Sequence, residues 1–129
     1  QISNIMATKK NDLHKRLVDY SLQIVKFVDS LPKGDMSTQV IAKQLIRSGT
    51  SVTANCIEAK SASSKKDYIN FYTHALKSAN ESLFWISLLI QSGKADENDW
   101  HDLRQETSEL ANIIAASIIT MKKNLKKEL

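Results

Sequence analysis

Histidines and acids are the residues that would carry metal or acid–base chemistry, and their spacing here matches no known site. His14, His74 and His101 are the three histidines of the chain, and none has an acid three residues before it, as the Glu-x-x-His motif of di-iron bundles requires. Glu97 lies four residues before His101, which favours a surface hydrogen bond over a metal site. The chain also lacks a glycine-rich phosphate loop and a base suitably spaced from its serines. We therefore predict no catalytic, metal-binding or cofactor-binding residues and no enzymatic activity.

A stripe of polar residues is the more informative pattern. Arg47, Ser51, Asn55 and Glu58 recur every three or four residues, so they share one face of a helix. Glu81 is predicted to face this stripe from the next helix. The stripe has three interpretations: a solvated face, a buried network that fixes helix register or an oligomer interface, or a ligand site. We predict a structural polar network, because charges on an inner face must be paired and hydrogen-bonded.

Lysines are clustered around a central turn and near the end of the chain, within a formal net charge of +4. This mild excess is compatible with nucleic-acid binding without requiring it. Acidic residues concentrate instead between residues 96 and 109. The last lysines have a second explanation, because a helix dipole favours cations at its C-terminus. The residues predicted to bind nucleic acid are Lys60, Lys65, Lys66, Lys122, Lys123, Lys126 and Lys127.

Helices must position these residues, because one proline and three glycines leave few breakers in the chain. Apolar residues recur at helical spacing in four segments. The first helix is predicted to begin near Asp12, and Asp35 or Ser37 caps the second. The third begins after Ser64, and the fourth begins within residues 96–100, where acids favour the positive end of the helix dipole.

The short connections between these helices predict antiparallel neighbours. The expected fold is all-α: an up-down-up-down four-helix bundle in one domain over residues 1–129, with residues 1–11 as a flexible tail. The middle of the second helix, residues 48–51 with the sequence SGTS, is a poor helix former. Either a neighbouring helix packs very closely there, or the helix is kinked.

Apolar surface on the last two helices exceeds what a monomeric bundle needs. Residues 84–90 of the third helix are apolar on almost all sides, and the fourth carries isoleucine pairs at 113–114 and 118–119. A helix that is apolar all round should be buried all round. This predicts a subunit interface, with a thick core as the alternative.

Cysteine use and hydropathy bear on the compartment. Cys56 is the single cysteine, so an intrachain disulfide and a cysteine metal cluster are excluded, and a buried apolar role is expected rather than a redox one. No apolar run is long enough to span a bilayer, and the first residues lack the apolar core of a signal peptide. We expect a cytoplasmic protein with no membrane partner.

Several motifs in the right order resemble one bacterial family. Residues 45–52 (LIRSGTSV), followed by Asn55 and residues 58–59, are similar to the signature of the 23S rRNA intervening-sequence proteins. Further matches are residues 64–68 (SKKDY), Lys77, residues 79–81 (ANE) and Trp85. The resemblance covers nearly the whole chain.

Three residues depart from the family pattern. Thr53 stands where relatives often have Gly or Pro, Phe71 replaces a common Lys, and Ser78 replaces a common Glu. The last two changes remove charge from the third helix, so a ligand role for that surface is not carried over.

The resemblance implies a four-helix bundle that assembles into a homopentamer around a central channel. It also implies a relation to the accessory protein of diversity-generating retroelements, a basic pentamer that binds nucleic acid and a reverse transcriptase. We therefore expect a non-enzymatic homo-oligomer that binds RNA or DNA weakly and without sequence preference through its basic patches, with a reverse transcriptase as a candidate protein partner. The alternative is a protein-interaction scaffold or accessory subunit that does not bind nucleic acid.

Overall fold

Four helices make up the part of the chain that the computed structural model describes, namely the backbone of residues 2–128 and the side chains of residues 12–128. They are α1 (Ile2–Ser30), α2 (Met36–Ala59), α3 (Lys65–Gln91) and α4 (Glu97–Glu128). No strand occurs within residues 2–128. The predicted all-α fold of four helices is confirmed.

Local capping chemistry sets the start of two helices, as predicted. Asp35 caps α2, and its Oδ2 accepts a hydrogen bond from the Thr38 backbone N–H at 3.3 Å. Ser64 caps α3, and its Oγ accepts from the Asp67 backbone N–H at 3.0 Å. Each bond satisfies one of the N–H groups that the first turn of a helix leaves without a partner.

The start of α1 differs from the prediction. The helix begins at Ile2 rather than near Asp12. No proline or glycine lies between these residues, and Met6, Ala7 and Lys9 are good helix formers. Asp12 could cap a helix, but α1 continues through it without a break. The side chains of residues 1–11 lie outside the described part, and the flexible tail predicted for them stays a prediction.

Each helix packs against two others, so the four form a ring. Helix α1 contacts α2 and α4, and α3 contacts α2 and α4. The core lies between them and contains aliphatic side chains from all four helices, together with two aromatic rings from α1 and the ring of Tyr72 from α3. Its largest fully buried members are Tyr20, Phe27, Ile24, Leu45, Ile86, Leu89, Leu110 and Ile114.

Close packing, rather than a kink, explains the SGTS segment of α2. The helix is continuous from Met36 to Ala59. A Cβ built on Gly49 would lie 2.9 Å from Cγ2 and 3.0 Å from Cγ1 of Ile24 on α1. Real Cβ atoms hardly ever come this near to another heavy atom, so the approach of α1 to α2 requires glycine at this position.

The wide apolar surface of α3 and α4 is only partly covered within one chain. Ile86, Leu89, Ile114 and Ile118 are buried, whereas Phe84 and Ile119 are each 56% exposed. Phe84 also packs its ring against Trp85, with ring centroids 4.9 Å apart. A thick core therefore accounts for part of the pattern, and the subunit interface stays a prediction.

The single cysteine lies inside the bundle, on α2. Cys56 is free and buried, and burial raises the pKa of its thiol to about 11. None of the helices formed by the described residues combines the length and apolar character needed to cross a membrane.

Candidate nucleic-acid interface and polar network

A ladder of hydroxyl groups joins α2 to α3 at the inner edge of the polar stripe. Ser82 Oγ lies 2.8 Å from Ser48 Oγ, and both residues are fully buried. One helical turn away, Ser78 Oγ donates to Ser51 Oγ at 3.0 Å. Asn55 Nδ2 donates to the carbonyl and to the hydroxyl oxygen of Ser51, each at 2.9 Å. The buried hydroxyl groups are therefore satisfied by one another and by backbone carbonyl oxygens of their own helices, as burial demands.

The outer edge of the stripe is an ion pair. The Arg47 guanidinium pairs with the Glu81 carboxylate, and Glu81 Oε2 also accepts from Trp85 Nε1 at 2.9 Å. Gln44 Oε1 accepts from Arg47 Nη2 at 3.1 Å. The Arg47 side chain is 57% exposed and that of Glu81 36% exposed. In the single chain this pair thus belongs to the surface class, worth about 1 kcal/mol or less.

The structure brings together four of the five residues predicted for the network. Arg47, Ser51, Asn55 and Glu81 meet between α2 and α3, whereas Glu58 is exposed and its side chain makes no hydrogen bond or ion pair with the described residues. Glu58 shares the sequence spacing of the stripe, but it is exposed and no described side chain of α3 bonds to it. That the network is structural stays a prediction.

Sequence reasoning missed the partners of the stripe on α3 and one member on α2. Ser78 and Ser82 are four residues apart, so they face the same side of α3, and this spacing was the one available signal. Ser78, which departs from the family pattern, provides a hydroxyl to the ladder. Trp85 contributes its indole N–H, and Ser48 a buried hydroxyl.

All seven lysines predicted to bind nucleic acid are exposed, and they lie at one end of the bundle. Lys65, at the start of α3, pairs with Glu128 in the last turn of α4. Lys60, at the end of α2, places its Nζ 3.3 Å from His14 Nδ1 of α1. The connection from α2 to α3 therefore lies beside the end of α4. We call this region, with its seven lysines, the basic end.

The opposite end of the bundle carries mainly acidic residues, around the α1–α2 and α3–α4 connections. Lys94 Nζ lies 3.2 Å from Asp35 Oδ2 there, and Arg104 pairs with Glu97. Hydrogen bonds from Thr38, and then the Lys94 ammonium, lower the pKa of Asp35 to about 2. Residues 29–35 and 94–102, which include these connections, contain six acidic residues and two lysines, so charge changes sign along the long axis of the bundle.

Between the two ends, α1 and α4 are joined by polar contacts. Arg16 binds Glu106 with two bonds, Nε to Oε2 at 2.7 Å and Nη2 to Oε1 at 2.5 Å, and the hydrogen bond to Glu106 is the main cause of the raised pKa of Arg16. Tyr20 and Thr107 share a buried hydroxyl–hydroxyl bond of 2.8 Å. Burial raises the pKa of Tyr20 to about 12. These contacts link α1 to α4.

The histidines form no recognisable metal site in the part of the chain whose side chains are described. His101 Nδ1 lies 3.7 Å from Glu97 Oε1 at the surface, at the predicted spacing. Across residues 12–128, no group of three His, Cys, Asp or Glu side chains is arranged to hold a metal ion. The charged surface at the basic end is therefore the best-supported candidate site.

Comparison with known proteins gives a family and a solved relative. The model of the family described as 23S rRNA-intervening sequence protein matches residues 9–116. A solved structure from Bacteroides thetaiotaomicron VPI-5482, described as a protein with unknown function from the S23 ribosomal protein family, is 30% identical. The match covers 81% of this chain and 96% of that one, with a TM-score of 0.75. No curated protein matches. The chain belongs to the family of 23S rRNA-intervening sequence proteins.

Proposed function

We propose that this protein is a non-enzymatic, cytoplasmic nucleic-acid-binding module that contacts RNA or DNA through its basic end. The observation that carries the proposal is the gathering of seven exposed lysines, distant in sequence, at one end of the bundle. Lysines that served solubility alone would be expected over the whole surface, with both signs of charge interspersed. Acidic residues outnumber lysines around the two connections at the other end, whereas lysines outnumber acidic residues at the basic end.

Binding of this kind is expected to be weak and independent of sequence. Lysine ammonium groups interact with phosphates as point charges, which supplies affinity without reading base edges. The four lysines of α4 lie at positions i, i+1, i+4 and i+5, so they spread over one outer side of its last two turns. No aromatic residue of the described part lies among these four to stack on bases.

Fluorescence anisotropy with RNA and DNA oligomers across a salt series tests this proposal. Changing Lys122, Lys123, Lys126 and Lys127 together to Gln should lower the affinity for all sequences alike. The slope of log affinity against log salt should fall by about 0.7 for each single-strand phosphate that the variant no longer neutralises. No binding by the wild type at low salt would refute the proposal, and tight binding that ignores salt would indicate a different site.

A matched control separates the basic end from total charge. Lys126→Gln with Lys127→Gln removes two charges at the basic end, and Lys33→Gln with Lys43→Gln removes two charges far from it. The first pair should weaken binding and the second should leave it near the wild-type value. Equal losses from both pairs would mean that net charge, rather than the basic end, attracts the nucleic acid.

We further infer that the bundle is antiparallel throughout and assembles as a homopentamer. The contacts between α2 and α3 support the first part, because Arg47 pairs with Glu81 while Ser51, further along α2, pairs with Ser78, further back on α3. Family resemblance and the exposure of Phe84 support the second. Light scattering coupled to size exclusion at micromolar concentration should give the mass of five chains. A monomeric mass would reject assembly, and a dimeric mass would reject five subunits.

Assembly would strengthen the proposed activity, because five copies of a modest basic patch give avidity without any new contact. The oligomer should therefore bind a long oligonucleotide far more tightly than one short enough to reach a single basic end. Equal affinities for the two lengths would indicate that the basic ends act singly.

The second candidate is a protein-interaction scaffold or accessory subunit that does not bind nucleic acid. Exposed apolar side chains favour it, because Met36 is 82% and Val40 55% exposed near the start of α2, and such patches mark interaction sites. By resemblance to the retroelement accessory protein, we propose a reverse transcriptase as a partner to test. The scaffold would be favoured if a reverse transcriptase co-purifies with this protein while the protein itself binds no oligonucleotide at low salt.

A further inference from the structure

The outer face of α1 carries an apolar stripe that the bundle does not cover. Val18, Leu22 and Val25 are 36%, 56% and 40% exposed. Their spacing of four and then three residues places them on one side of the helix, and Leu22 points away from the side that buries Tyr20 and Ile24. This stripe is separate from the basic end and from the apolar surface of α3 and α4.

Four charged residues border the stripe, and each lacks a partner among the described residues of its own chain. Lys15 and Asp29 continue the stripe at its two ends, and Asp19 and Lys26 flank it on one side. All four are exposed, and no ion pair or hydrogen bond of their side chains occurs with the described residues. Elsewhere, by contrast, each of the three arginines is paired with a carboxylate.

The order of these residues is complementary to itself when reversed. If a second α1 runs antiparallel with the two-fold axis near Leu22, then Leu22 meets its own copy and Val18 meets Val25. In the same arrangement Lys15 meets Asp29, and Asp19 meets Lys26. A parallel arrangement would set like charges side by side. Because each pair occurs twice across a two-fold axis, the contact closes four ion pairs around an apolar seam.

We propose that α1 binds a second copy of this chain through this stripe, antiparallel and about a two-fold axis near Leu22. The occupant is a second copy because the charge pattern complements its own reverse. The contact does not use the surfaces of α3 and α4 on which the proposed pentamer rests, so it would join two chains or two rings. It goes beyond the proposed function and does not depend on nucleic-acid binding.

Disulfide cross-linking of the whole protein tests the geometry directly. Leu22→Cys should give a two-chain product under mild oxidation, because the two substituted residues face each other. Lys15→Cys alone and Asp29→Cys alone should not, because copies of one position lie about 21 Å apart across the axis. A mixture of these two variants should cross-link. The wild type, whose single cysteine is buried, is the control for background.

Charge reversal tests the complementarity. Lys15→Glu or Asp29→Lys should each weaken the contact roughly tenfold, read as loss of the Leu22→Cys cross-link on dilution, since two exposed pairs become repulsive. The double variant Lys15→Glu with Asp29→Lys swaps the charges and should restore it. A purely structural role of these residues would make the double variant at least as defective as the single ones.

Three outcomes would overturn the proposal: no cross-link at position 22, equal cross-linking at position 15 alone, or no recovery in the charge-swapped variant. A native mass of five chains without any cross-link at position 22 would support the pentamer and reject this contact. A native mass of two chains that is halved by Lys15→Glu would support the contact and reject the pentamer. The two proposals can therefore fail separately.

Discussion

Replacing Gly49 by alanine tests how closely α1 approaches α2. The added methyl carbon would stand 2.9, 3.0 and 3.1 Å from Cγ2, Cγ1 and Cδ1 of Ile24, whereas carbon atoms in contact prefer about 3.5 to 4.0 Å. Two of these atoms are bonded directly to the Cβ of Ile24, so a rotation of the outer methyl cannot relieve them. Ile24 is fully buried, and the helices must move apart.

Two opposing terms set the size of the effect. Overpacking of this kind costs about 1 to 3 kcal/mol. Alanine in place of glycine within a helix raises the free energy of unfolding by about 1 kcal/mol, because of its higher helix propensity. We expect Gly49→Ala to lower the free energy of unfolding by about 1 kcal/mol, measured by urea unfolding at a fixed protein concentration. Because intrinsic propensity alone predicts stabilisation, the sign of the change decides between the two effects.

A control and a second variant complete this experiment. Gly34→Ala lies in the α1–α2 connection with no atom within 4 Å of the new carbon, so it should change stability by less than about 0.5 kcal/mol. Ile24→Ala removes all three contacting atoms, and in that background Gly49→Ala should become stabilising. A gain of about 1 kcal/mol from Gly49→Ala in the otherwise unchanged protein would refute the close packing of these helices.

Three further predictions concern polar contacts. Tyr20→Phe should lower the free energy of unfolding by about 1 kcal/mol in urea, because it removes the buried bond to Thr107; an unchanged value would mean that water replaces the hydroxyl. Asp35, whose pKa is lowered to about 2, mainly by Thr38, should stabilise the fold above the unfolded pKa of about 4, with loss as pH falls toward 2. Asp35→Asn should remove this part of the acid dependence of thermal unfolding, and an identical acid profile would contradict it. Arg47→Ala should cost about 1 kcal/mol or less, whereas a loss of 3 kcal/mol or more would show that assembly buries the pair.

Capping residues made the helix boundaries predictable, because the chemistry that starts a helix is local. Asp35 and Ser64 each bind a backbone N–H three residues ahead, and the spacing is visible in the sequence. The start of α1 was predicted wrongly because the prediction relied on local capping chemistry alone. Asp12 can cap a helix, but the residues before it also favour helix, and the competition between the two is not decided locally.

Of the polar network between α2 and α3, the sequence predicted mainly the residues on α2. Spacing identified Arg47, Ser51 and Asn55 on α2, but it also included Glu58, which lies on the same stripe and is exposed without a bond to the described residues. The hydroxyl partners Ser78 and Ser82 depend on the register of α3 against α2. That register results from the packing of the whole core, so the sequence of one helix does not specify it.

The change in the sign of charge along the bundle also has a consequence for encounter. A particle with positive charge at one end and negative charge at the other experiences a torque in the field of a polyanion. It would be turned so that its lysine-bearing end leads, before any contact forms, and fewer collisions would be wasted in unproductive orientations. If the subunits of a ring point the same way, their individual moments add, and the ring acquires a leading face and a trailing face. Approach to nucleic acid would then become directional, and dissolved salt would slow arrival by screening the field that aligns the particle.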